Sequence, residues 1–301
     1  MSGTKNQHYV PRSYLRNFAI PGTSAVWTLD KSTQKVFRAN IEKVACERYF
    51  YDFPEVEAEK VGVDPQLIEH ELARFEAAFR SLIQDTIAAN TGDCRGVPPE
   101  AREGLAHLLT MQFWRTRESR EVVAQTMTTM AQRLADLTAQ GELHVEVNQE
   151  ISRLHHLSLM FNPRATDELV NALLNHFWIV GINDSNEPLV TSDHPVVRYA
   201  HRRHPWMSYT GLASPGIEIA FPLNPRLVLI LFERREFHSL AGIDGKYLPL
   251  NEQNVIFYNS LQIRESYRYV YSQSNRFDLA REVIAAIPAA ASTSRPRVDV
   301  G

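Results

Sequence analysis

The feature that most constrains this chain is a change of hydrophobic period near Pro163. From about Asp64 to Phe161 the apolar residues recur at helix spacing. The text that follows holds short runs rich in β-branched and aromatic residues, HFWIVGIN, EPLVTSD, IEIAFPL and RLVLILFE, separated by Asn, Asp, Gly and Pro. A period near 3.6 residues puts one stripe of a helix against a core, whereas such short runs read as strands. Helices and strands are therefore segregated along the chain, which predicts an α+β fold.

Within the helical zone, Asp64-Pro65 supplies an N-cap and a first-turn proline, and Ile68, Leu72, Phe75, Phe79 and Leu82 mark a helix ending near Thr91-Gly92. A second stretch opens at Pro98-Pro99-Glu100 and runs to Gln140-Gly141, long enough to predict a kink. A third helix is expected from Glu146 to Met160. Ahead of them, Ala25 to Arg38 reads as a β-hairpin around Asp30-Lys31-Ser32-Thr33. Two late helices, Asn251 to Glu265 and Asp278 to Ala286, flank the strand YRYVYS. The expected organisation is one α+β domain over residues 1–288, with a helical subregion at about 64–161 and a mostly antiparallel or mixed sheet at about 175–272. The end, STSRPRVDVG, has little to pack, and 289–301 is expected to be a disordered tail.

Composition narrows the partners. With 32 basic against 35 acidic residues and a net charge of -3, no chain-wide attraction draws this protein to nucleic acid or anionic lipid, so a polyanion site needs a local patch. The two cysteines, Cys46 and Cys94, form no CxxC pair, and no charged-then-apolar signal opens the chain, so a reduced, cytoplasmic setting is expected. No window approaches the roughly 20 apolar residues of a membrane span.

Familiar catalytic motifs are missing. The sequence holds no GxxxxGK[ST] loop, no GxGxxG, no GxSxG elbow and no HExxH helix. His155-His156 and His201-Arg-Arg-His204 lack the accompanying ligands of a conventional zinc site. Asp244-Gly-Lys246 has a nuclease-like DxK form, yet GIDGKY reads as a turn with glycine at positive φ.

Polar residues in unusual places are more informative. Glu69, Leu72, Glu76, Phe79 and Ile83 follow steps of three and four, which sets both glutamates on the rim of a buried stripe. Leu105, Leu108 and Leu109 define a stripe whose next positions are Gln112 and Arg115. A buried arginine needs an acceptor, so Arg115 is expected to meet Glu69, Glu76 or a bound anion. Asp193 and His194 in EPLVTSDHPVV follow a strand, where either a catalytic or metal-binding group or an Asx turn fits. In NQHYVPRSYLRNFA, Pro11 begins a short helix, Leu15 and Phe18 point inward, and Arg12 and Arg16 share a face beside His8. That arrangement suits an anionic group, or else a histidine that staples the terminus to the body.

With these segments in view, the chain resembles the family catalogued as domain of unknown function 4238, mainly bacterial proteins, from about Asn6 to Ser272. His8, Pro11, Leu15 and Phe18 match its opening. Gln112 and Arg115 match its second-helix signature, and Thr191, Ser192, Asp193 and Pro195 match its TSD-x-P turn. Phe221-Pro222-Leu223, Asn259 and Tyr271-Ser272 fit as well. The resemblance implies a fold and a site location but no activity.

Two functional readings follow. In the first the protein is a metal-dependent hydrolase of nuclease or phosphoesterase type. Asp193 and Glu76 hold a divalent cation, His8 serves as acid or base, and Arg12, Arg16, Gln112 and Arg115 hold an anionic ligand or nucleic acid. In the second it is a non-catalytic binding or sensor module, with a toxin or defence setting as a weaker variant, and His8, Gln112, Arg115 and Asp193 form a buried polar network that locks helices to sheet. Both readings expect His8, Glu76, Arg115 and Asp193 to converge between the helical zone and the sheet.

Overall fold

The computed structural model describes residues 5–53, 58–60, 62, 64–89, 96–138, 147–202 and 210–298. The chain opens with β1 (Asn6–His8), α1 (Arg12–Leu15), β2 (Ala25–Asp30), β3 (Lys35–Asn40) and β4 (Cys46–Arg48). The helices α2 (Leu67–Ala88), α3 (Pro99–Trp114), α4 (Arg117–Thr138), α5 (Gln149–Met160) and α6 (Pro163–Leu174) follow. The sheet-rich part carries β5 (His176–Asn183), β6 (Thr191–Ser192), β7 (Val197–Ala200), β8 (Ile217–Asn224), β9 (Leu227–Glu233), β10 (Tyr247–Leu250), α7 (Glu252–Glu265), β11 (Tyr269–Ser272) and α8 (Asp278–Ala286). This is the expected α+β class, with hairpin, helical middle, mixed sheet and two late helices.

The larger sheet has the order β10-β5-β9-β8-β7, antiparallel apart from the parallel β10–β5 pair. A second sheet, β3-β2-β11-β6, sews the N-terminal hairpin to the far end of the chain, pairing Thr28 with Tyr271 and Val270 with Ser192. A third pair, β1 with β4, sets His8 opposite Cys46. One apolar cluster joins Tyr14, Leu15 and Phe18 of the opening segment to Leu72, Phe79, Leu105 and Leu109 of the helices and to Trp178, Phe221 and Leu229 of the sheet. The terminal stretch is thus part of the core.

Several boundaries differ from expectation. Helix α2 starts at Leu67, because the Asp64 carboxylate turns back to accept the Gln66 N–H at 2.8 Å before the helix begins. It ends at Ala88, and Thr91-Gly92 lies outside the described residues. The long second stretch divides at Arg115-Thr116, where the Thr116 hydroxyl accepts the Ser119 N–H at 3.3 Å and opens α4. Gln140-Gly141 and Glu146 also lie outside the described residues. Asn148, with its side chain accepting the Glu150 N–H at 2.7 Å, caps α5.

Helix α6 was not expected after Pro163. Asn162 caps it, accepting the Ala165 N–H at 3.2 Å, and Val170 and Leu173 bury its inner face. In EPLVTSD only Thr191–Ser192 pairs as a strand. The Asn259 side chain takes the Val190 N–H (2.9 Å) and the Pro188 carbonyl (3.0 Å), so those groups need no neighbouring strand. Residues 289–298, expected within a disordered tail, are instead docked. Ala290 is buried, and Arg295 and Arg297 donate to the Glu118 carboxylate at 2.7 and 2.9 Å. Charge pairing supplies there what apolar content lacks. The GIDGKY turn forms as expected, with Gly245 at φ +81. No helix among the described residues is long and apolar enough to cross a membrane.

Candidate functional site

The break between α3 and α4 projects Arg115 inward. Its side chain is 1% exposed, and its Nη2 donates to the His8 carbonyl at 2.6 Å and to Glu76 Oε1 at 2.9 Å. One turn earlier, Gln112 Nε2 donates to the Tyr9 carbonyl at 3.1 Å. The Tyr51 hydroxyl donates to the Arg115 carbonyl at 2.6 Å, and Gln7 accepts the Tyr51 N–H at 2.6 Å while its amide reaches Asp52. The opening segment is therefore clasped to the end of α3 through its main chain, while the Gln7 side chain holds Tyr51 and Asp52.

Charges crowd this clasp. Burial works against the Arg115 charge, but Tyr51 and Glu76 outweigh it and hold the guanidinium above its ordinary value. Burial pushes the Glu69 carboxyl up to about 7; Arg115 pulls it down, and Glu76 and Asp52 push it further up. The His8 imidazole is lowered by burial and then by Arg12 and Arg115, with Glu76 opposing. His8 Nε2 and the Arg115 Nε and Nη1 are closed off from solvent and have no partner among the described residues. Arg12 and Arg16 are exposed, and neither reaches Arg115 by a hydrogen bond.

The TSDHP turn has its own set of hydrogen bonds. Asp193 is fully buried; one oxygen accepts the Tyr267 N–H at 2.8 Å, and the other accepts the Arg268 and Tyr269 N–H groups at 2.8 and 2.7 Å. Burial pushes its carboxyl up to about 6, against the pull of those amides and of Lys31. Ser192 donates to Gln262 Oε1 at 2.7 Å, and the Gln262 amide reaches the Pro195 carbonyl at 2.8 Å, which ties the turn to α7. His194 Nδ1 lies 2.7 Å from the Thr116 hydroxyl, so the turn also braces the α3–α4 break. Thr191 pairs with the Tyr14 hydroxyl at 2.7 Å; that hydroxyl also reaches the Pro222 carbonyl, and the Tyr14 ring stacks on Phe221 at 4.9 Å.

His8, Glu76, Gln112 and Arg115 thus come together, with Arg12 within electrostatic reach of His8. Asp193 is bonded to the Tyr267–Tyr269 amides and Glu76 to Arg115, so the structure gives the expected two-carboxylate cation site no support. Among the described residues, no group of three or more His, Cys, Asp or Glu side chains is arranged to hold a metal ion. Sequence reasoning missed Gln7, Tyr14 and Tyr51. Tyr14 and Gln7 sit in the opening phrase, but their partners lie 44 to 208 residues away, a separation that no local pattern reports. Lys31, read as part of a hairpin turn, is fully buried and donates to the Ile263 and Ser266 carbonyls at 2.7 and 2.8 Å.

An α+β fold with a clasped N-terminal strand and a buried TSD-x-P turn is the class these observations define. The model of a family described as a protein of unknown function, DUF4238, matches residues 6–276, and the chain belongs to that family. No curated protein and no solved structure matches it.

Proposed function

We propose that this chain is a non-catalytic binding module, in which the polar signature residues lock helices to sheet, and not a metal-dependent hydrolase. The near-saturation of Asp193 carries the reading. A carboxylate that holds a catalytic cation needs an oxygen with a lone pair turned toward it, and three of the roughly four lone-pair sites of Asp193 are taken. Both oxygens of Asp193 already accept buried main-chain N–H groups, and freeing one would strand amides at a cost of about 1–3 kcal/mol each. Gln112 and the Arg115 Nη2 are likewise committed to main-chain carbonyls and Glu76. The net charge of -3 gives no support to broad contact with nucleic acid.

Calorimetric titration of chelator-treated protein with Mn²⁺ and Zn²⁺, in parallel with Asp193→Ala, tests the reading. The expected result is no saturable binding in either protein and a large fall in thermal stability for the variant. Stoichiometric binding that Asp193→Ala abolishes, with metal-dependent phosphoester cleavage by the wild type, would overturn it.

A further inference from the structure

A cleft of about 710 Å³ opens between α4 and α5, with Pro296 and Val298 of the C-terminal segment forming another wall. That volume falls in the range of small-molecule sites. Arg117 and Arg120 of α4 and Arg153 of α5 line it, against the carboxylates of Glu121 and Glu150. Arg117 is neutralised: Nη1 meets Glu47 and Nη2 meets Glu121, each at 3.1 Å.

Arg120 differs. Its Cζ lies 3.5 Å from the centroid of the Phe50 ring, and Nη2 donates to the Phe50 carbonyl at 2.6 Å, which fixes the plane of the guanidinium. No carboxylate among the described residues forms an ion pair with it. Burial brings its pKa down to about 9, and the charges of Arg153 and Arg117 add to the strain although Tyr51 and Glu47 oppose it. Arg153 donates to the Tyr49 carbonyl at 3.0 Å and to that of Asp52. The Nε of all three arginines is buried without an acceptor among the described residues. A preformed, half-buried guanidinium without a carboxylate paired to it among the described residues is poorly satisfied by the protein alone.

We propose that this cleft binds a small molecule bearing an oxyanion, phosphoryl or carboxylate, with Arg120 and Arg153 as its anchors. With Nη2 of each committed to carbonyls and Nε closed off, the Nη1 groups of the two arginines remain to meet the paired oxygens of either group. Thr128, Thr129 and Gln149 line the same cleft and offer hydroxyl and amide groups to the remainder of the ligand. The inference rests on the binding-module reading and names its ligand class.

The test is calorimetric titration of the full chain with inorganic phosphate, adenosine monophosphate and citrate. Saturable binding of at least one is expected; phosphate or the nucleotide alone marks a phosphoryl ligand, and citrate alone marks a carboxylate. Arg120→Gln is expected to weaken binding by about tenfold or more. Thr128→Trp fills the cleft without touching a guanidinium and is expected to weaken binding similarly, which covers the case in which Arg120→Gln does not fold. Arg74→Gln, on the exposed face of α2, leaves the affinity unchanged. Failure of all three probes to bind the folded wild type, or binding that survives both cleft variants, overturns the cleft and leaves the non-catalytic reading standing. Hydrolysis of the bound nucleotide to adenosine and phosphate supports the cleft and sinks the non-catalytic reading.

Discussion

Asp193 and Arg115 are both charged and both shut away from water, yet the chain satisfies them to different degrees. Asp193 meets three amides from one short segment, Tyr267 to Tyr269, which leaves neither oxygen idle. Arg115 spends one nitrogen on His8 and Glu76 and leaves Nε and Nη1 without partners among the described residues. The difference follows from donor geometry. A carboxylate fits a turn whose successive N–H groups point inward, whereas a guanidinium presents five donors in a fixed fork, and a helix break rarely gathers as many acceptors. Burial alone therefore does not separate a structural charge from one with binding capacity to spare.

The largest expected effect breaks the comparison at its saturated end. Asp193→Ala strips an acceptor from three buried amides and is expected to lower unfolding stability by about 4 kcal/mol in urea denaturation, with Asp193→Asn losing about half of that. A loss under about 1 kcal/mol for the alanine variant would mean that water replaces the carboxylate freely and that the turn is not closed. Arg115→Met comes next, at about 2 kcal/mol. It removes two charge-assisted hydrogen bonds but also removes two unpartnered nitrogens, so part of the loss is recovered. A loss matching that of Asp193→Ala would show that all of the arginine's nitrogens are satisfied in solution and would erase the contrast.

These two residues also mark the limit of what the sequence discloses. The hairpin, the helical middle, the mixed sheet and the late helices follow from period and turn residues, because both are local. The α3–α4 break follows from length as a kink, and the need of Arg115 for an acceptor from its place on a buried stripe, with Glu76 one of the partners it could meet. Asp193 stayed ambiguous because an Asx turn and a catalytic loop look alike until the partner is known. That partner, Tyr267 to Tyr269, is 74 to 76 residues further on. Helix α6 was hidden by its place directly before the strand run, although Asn162-Pro163 is itself a start signal. The arginine cleft was missed for another reason. Arg117 and Arg120 in WRTRESR match no motif, and nothing local reveals that Phe50 stacks on Arg120 or that Arg153 lines the same cleft.

The smallest effect sharpens the comparison at the clasp, where Glu69 titrates. Burial lifts its folded carboxyl to about 7 from an ordinary value of 4.5. A carboxyl raised in the folded state favours folding while protonated, so its contribution is complete below about 4.5 and is lost as pH rises through about 7. Glu69→Gln fixes the uncharged form, so the stability of the wild type relative to this variant is expected to fall between those two values. The size is about 1 kcal/mol once partial exposure and screening are allowed for. Asp193, pushed up to about 6, gives the wild type a slope of the same sign, but it is present in both proteins and cancels in the difference. Parallel stability curves for wild type and Glu69→Gln from pH 4 to 8 would mean that the Arg115 charge neutralises Glu69 fully. The clasp would then be as saturated as the turn, and the spare binding capacity of the chain would lie in the arginine cleft alone.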